Sequence, residues 1–135
     1  MNLMVHINIP APAQTVANQQ PIMLVGSCFT EHIGNSLQEM KFEMMQNPNG
    51  ILFDPQSVAA SLVSYVQNKQ YREEDLFLLN EVWQSWQHHS RFSGMNRTEV
   101  VQMINASQQA AHDFLKKAEW LVITLGSAFS YRVTE

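Results

Sequence analysis

Ile22-Met23-Leu24-Val25 is a continuous apolar run that stops at Gly26 and gives way, after Ser27 and Cys28, to apolar residues at helical spacing. A run without alternation reads as a strand covered on both faces, the setting of a parallel sheet flanked by helices. The change of period at a glycine places a sharp strand-to-helix corner at residues 26–28. Side chains there stand at the C-terminal edge of the sheet, beside unpaired N–H groups of the helix N-terminus. A hydroxyl and a thiol in that position are candidate nucleophiles. A turn followed by a helix cap is the plain alternative for Ser27, and a small buried apolar residue is the plain alternative for Cys28.

The same alternation continues along the chain. Phe29, Ile33, Leu37 and Met40 predict the apolar face of a first helix with Thr30 as N-cap, weakened by Gly34. Residues 42–46 predict a strand and Asn47-Pro48-Asn49-Gly50 a turn. Asp54-Pro55 predicts the start of a second helix, whose apolar face is Val58, Leu62, Tyr65 and Val66. Leu76 to Trp86 reads as one or two short strands or a loop. Asn96 and Glu99 predict the cap of a third helix that runs to about Lys117 and buries Val100, Ile104, Ala111, Phe114, Leu115 and Ala118. Trp120 to Leu125 predicts a last strand, ended by Gly126. Ahead of all this, Leu3 to Ile9 predicts a short edge strand and residues 10–20 an irregular connector. The order strand–helix–strand–helix–insert–helix–strand predicts an α/β fold with a parallel sheet, as a single domain over residues 1–135. The edge at residues 121–125 is expected to lack cover, which makes pairing into a homo-oligomer an expectation.

Charge and composition exclude several classes of function. The formal net charge is -4 and the basic residues are scattered, so no stripe exists to neutralise phosphates and no nucleic-acid partner is expected. One cysteine forbids an internal disulfide or a thiolate-rich metal site and fits a reducing compartment. No apolar span of about 20 residues occurs. The first ten residues lack the basic and apolar regions of a secretory signal. No membrane partner and no cofactor are expected, and a cytoplasmic location is the simplest placement.

His88-His89-Ser90, preceded by Trp83 and Trp86, is the second unusual cluster. Adjacent histidines on a strand point to opposite faces, and no acidic residue stands beside them at ligand spacing, so a metal site is disfavoured. Lining a pocket, orienting a substrate or lying in a surface loop remain open to them. His32 and His112 read as surface residues. Asn47 and Gly50, just after a strand end, are placed to present an amide and a backbone N–H to an anion.

Taken together, four segments carry a resemblance. Gly26-Ser27-Cys28-Phe29-Thr30 looks like the Gly-Ser-Cys-Phe-Ala signature of the GSCFA family, with Thr30 in place of alanine. Residues 47–55, residues 86–93 and Ile123-Thr124-Leu125-Gly126-Ser127-Ala128 match further motifs in order. That family is similar to the SGNH, or GDSL-like, hydrolases. The resemblance implies a three-layer flavodoxin-like sheet and a serine ester hydrolase, with a small-molecule or carbohydrate ester as substrate. By the same resemblance Ser27 is the nucleophile, and Cys28, Asn47, Gly50 and Gly126 contribute to the oxyanion or substrate site. The asparagine usual after the last of these strands is absent at Gly126-Ser127-Ala128-Phe129. So is the usual C-terminal Asp-x-x-His block, which leaves His88 or His89 as the base within these residues and makes the chain resemble an N-terminal portion of its family. A noncatalytic carbohydrate- or peptide-binding or assembly module, with a groove lined by Trp83, Trp86, His88 and His89, is the alternative.

Overall fold

The apolar run at residues 22–25 occupies the centre of a parallel sheet. The computed structural model describes residues 7–130. In chain order its elements are β1 (Ile22–Gly26), α1 (Cys28–Glu39), β2 (Met44–Gln46), α2 (Pro55–Gln67), β3 (Phe77–Leu79), β4 (Val82–Gln84), α3 (Arg97–Lys117) and β5 (Trp120–Thr124). Strands β2, β1 and β5 form a three-stranded sheet in that spatial order, and β1 pairs in parallel with both neighbours. Strands β3 and β4 form a separate antiparallel hairpin, which resolves the stretch from Leu76 to Trp86 into two short strands.

Every residue of β1 is buried, as its uninterrupted apolar character requires. Met23 and Val25 pack against Val58 and Tyr65 of α2 and Ala111 and Phe114 of α3, the main core. Helix α1 meets β2 so closely that a methyl group added to Gly34 would strike the side chains of Gln46 and Met44. The glycine that weakens the helix is what lets it approach the strand.

Two of the three predicted caps form. Asp54 accepts from the Ser57 amide at 3.0 Å, and Asn96 accepts from the Glu99 amide at 3.2 Å. Several predicted faces need correction. Helix α1 begins at Cys28 with Ser27, not Thr30, as its N-cap residue. Its buried positions are Thr30 and Gly34, while Phe29 and Met40 point to solvent. Val66 is likewise exposed on α2, and the buried stripe of α3 includes Gln108, whose amide donates to Ser64 O at 2.6 Å. Of the edge strand expected at residues 3–9, the first four residues lie outside the described structure, and residues 7–9 are exposed and form no strand.

The insert between α2 and α3 builds a second apolar cluster of Tyr71, Leu76 and Phe92 against Val100 and Ile104. Strand β5 ends the sheet. Its register places Leu121 beside Met23 and Ile123 beside Val25, yet both side chains stay about half exposed.

Candidate functional site

The corner after β1 exists because residue 26 is glycine. Its φ is +146°, and a Cβ there would lie 1.9 Å from Thr124 O of β5. No other residue allows the strand to turn while still in register with its neighbour. Three hydrogen bonds then clamp the corner. The Gly26 amide donates to Asn47 Oδ1 at 2.8 Å, Gly26 O accepts from the Leu52 amide at 2.9 Å, and the Ser27 amide donates to Thr124 O at 3.0 Å.

Ser27 is 5% exposed, and its hydroxyl does not cap α1. It hydrogen-bonds instead to Thr124 Oγ1 at 2.9 Å, and Thr124 Oγ1 also meets Thr30 Oγ1, so three hydroxyls share one buried chain. Cys28, the first residue of α1, is exposed. Among the described residues nothing accepts from its amide, so the corner presents a free helix-end donor beside an accessible thiol.

Asn47 is wholly buried in a left-handed conformation, φ 43°, which asparagine tolerates better than most residues. It heads the turn, whose Gly50 amide donates to Asn47 O at 2.8 Å with Pro48 in the second position. The turn is moored from two sides, by the Asn49 amide donating to the buried Tyr65 hydroxyl at 3.2 Å and by Ser107 Oγ donating to Pro48 O at 2.7 Å. Gly50 has φ +83°, and a Cβ there would lie 2.2 Å from the His89 Cβ. Gly126 lies against Ser27: a Cβ added to it would be 3.4 Å from the Ser27 Cβ and 2.9 Å from a ring carbon of Phe53. Its amide donates to Phe53 O at 2.9 Å.

The two histidines part company. His89 backs onto Gly50, donates its amide to Asn49 O at 2.8 Å, and accepts at Nδ1 from the Arg91 amide at 3.2 Å. His88 packs edge-on against Tyr71 and Phe92, with Nδ1 on Ser85 Oγ at 2.9 Å. Burial, aided by the nearby Lys69 cation, pulls its pKa down to about 4, and its Nε2 is buried without a partner. Neither imidazole hydrogen-bonds to Ser27 among the described residues. Trp83 packs on the second cluster beneath the Arg97 guanidinium, and Trp86 stacks on Phe77.

Two residues at the site escaped the sequence reading. Thr124 is the partner of Ser27 and sits inside the last of the four segments, which is the one signal that could have found it. Arg91 pairs with Glu31 of α1 at 3.2 Å and donates to Asn47 O, tying the third segment to the first two. The second and fourth segments therefore contact residues 26–28 directly, and the third is tied to them through Asn47 and Glu31. No group of three or more His, Cys, Asp and Glu among the described residues could hold a metal, and no helix among them is long and apolar enough to cross a membrane.

A model of the GSCFA family matches residues 21–135. No curated protein and no solved structure matches the chain significantly.

Proposed function

Because that match covers nearly the whole chain, the chain belongs to the GSCFA family, and from that premise we propose that it is a hydrolase acting on an ester at the Gly26-Ser27-Cys28 corner. The observation that carries the reading is the linkage of the other segments to this corner through the Asn47, Leu52, Arg91 and Thr124 contacts. In this reading the fold is a three-layer flavodoxin-like sheet, with α1 on one face and α2 and α3 on the other.

Ser27 attacks the ester carbonyl, and a histidine accepts its proton. For that, the hydroxyl exchanges its bond to Thr124 for one to imidazole. His89 is the better candidate of the two, since His88 is enclosed by Tyr71, Phe92 and Ser85. The free Cys28 amide holds the developing oxyanion. The Gly50 amide joins it only when released from Asn47 O, and the Asn47 and Gly126 amides serve to shape the site.

A second reading keeps the reaction and moves the attacking atom one residue on, to the Cys28 thiolate. It is favoured by the exposure of Cys28 against the burial and full engagement of Ser27. Labelling with a fluorophosphonate and with iodoacetamide, located by peptide mass, tests both, together with p-nitrophenyl acetate turnover by Ser27→Ala and Cys28→Ala. The expected result is a phosphonyl adduct on Ser27 and a loss of turnover on the order of a thousandfold or more in Ser27→Ala. Turnover that survives Ser27→Ala and vanishes in Cys28→Ala moves the nucleophile to Cys28. No adduct and no turnover at either residue leaves a noncatalytic binding module.

A further inference from the structure

At the start of α2 lies a pocket of about 170 Å³ whose lining includes Asn49, Asp54, Gln56, Ser57, Trp86 and Gln87. We propose that it is a subsite for one neutral carbohydrate ring.

The size admits little more than a single ring, being smaller than the roughly 300–1,000 Å³ of pockets that take drug-sized ligands. One wall is an aromatic platform. Trp86 is 67% exposed, yet it is held in place by stacking on Phe77 with ring centres 3.9 Å apart and planes 15° apart. One face of the indole is thus covered and the other left open, the arrangement on which the C–H face of a sugar ring packs. A large aromatic side chain kept at the surface with a fixed orientation points to a ligand more than to a core.

The other walls carry oriented polar groups with unused capacity. Asn49 is only 2% exposed, and its Nδ2 donates to Gln87 O at 3.1 Å, while its Oδ1 has no partner among the described residues. Asp54 uses Oδ1 to accept from the Ser57 amide at 3.0 Å and from Ser130 Oγ at 2.8 Å, which leaves Oδ2 free to accept. Gln87 accepts at Oε1 from Tyr71 at 2.8 Å and from Lys69 at 3.3 Å, which leaves its Nε2 to donate. Acceptors and donors side by side suit hydroxyl groups, each of which can do both. No lysine or arginine lines the pocket. The Asp54 carboxyl, pushed up by desolvation but brought down further by the hydrogen bonds from Ser57 and Ser130, stays ionised at neutral pH. A phosphate, sulfate or carboxylate would be repelled.

One lining residue leads back to the corner. Asp54 follows Phe53, whose carbonyl accepts from the Gly126 amide and whose ring borders the space between Gly126 and Ser27. The subsite deepens the ester reading, making the alcohol part of the substrate a sugar, and rests on it only for that role. Binding itself needs no reaction.

Saturation-transfer NMR with glucose, galactose, mannose and N-acetylglucosamine, with glucose 6-phosphate and adenosine as comparisons, tests the proposal. At least one neutral sugar is expected to bind saturably, about tenfold more weakly to Trp86→Ala and measurably more weakly to Gln56→Ala, both surface changes. The Ser27→Ala and Cys28→Ala variants are expected to bind as the parent does. Absence of saturable binding by all four sugars, sugar binding unchanged in Trp86→Ala, or tighter binding of glucose 6-phosphate or adenosine overturns the subsite. Sugar binding without any ester turnover refutes only the hydrolase reading.

Discussion

Replacing Asn47 with alanine should loosen the corner. Its Oδ1 is the acceptor for the Gly26 amide, a buried donor that would then have no partner. Leaving such a group unpaired costs about 1–3 kcal/mol. Alanine must also hold the left-handed conformation, φ 43°, that asparagine occupies here. That adds roughly 1–2 kcal/mol. The two contributions separate experimentally. Asn47→Gly removes the hydrogen bond but frees the backbone, so it should lose about 1–3 kcal/mol, and Asn47→Ala should lose more, about 2–5 kcal/mol in all. Urea unfolding followed by far-ultraviolet circular dichroism reads both, with an unchanged slope showing that the native state stays compact. If both variants fall within about 0.5 kcal/mol of the parent, the range of an ordinary surface change, the hydrogen bond does not hold the corner. If Asn47→Gly is as unstable as Asn47→Ala, the conformational part of the reasoning is wrong.

Stability should also fall on acidification through His88. Its native pKa, about 4, lies below its ordinary value of 6.5, so the folded state prefers the neutral ring. The stabilisation is complete above pH 6.5 and is lost as the pH falls toward 4, on the order of 3 kcal/mol in the limit. In urea titrations at stepped pH, His88→Phe should flatten this dependence, and an unchanged profile would assign it to other groups. Gly50→Ala should destabilise by about 2–4 kcal/mol, since it combines a positive φ with a clash against the His89 Cβ. A thermal melt of Gly50→Ala within a degree or two of the parent would show that the turn and His89 can shift at little cost.

The parts of this fold legible in the sequence are those decided by neighbours along the chain. The unbroken run at residues 22–25 demanded burial on both faces and found the central strand. Asp54-Pro55 and the Asn96–Glu99 pair marked helix starts, because a cap is satisfied within one turn. Periodicity was less informative about direction. It grouped Phe29 with Ile33 and Val66 with Val58, but spacing specifies only which residues share a side of the helix. How far the cover extends depends on what packs there, and Phe29 and Val66 fall outside it. Gln108 went unseen for the converse reason, since its amide is satisfied by Ser64, a partner on another helix.

Sequence alone determined the α/β alternation, the corner at Gly26 and the four segments that mark the family, all of which rest on local sterics and residue order. Only the tertiary structure decided what that corner holds. Parallel pairing of β1 with β5 sets Ser27 against Thr124, a residue 97 positions away. Packing of the insert on α3 encloses His88 between Tyr71 and Phe92, while its neighbour His89 turns to Gly50. Register and burial emerge from closing loops of that length around a shared core, and no property of two adjacent histidines, or of a lone serine after a glycine, encodes the outcome in advance.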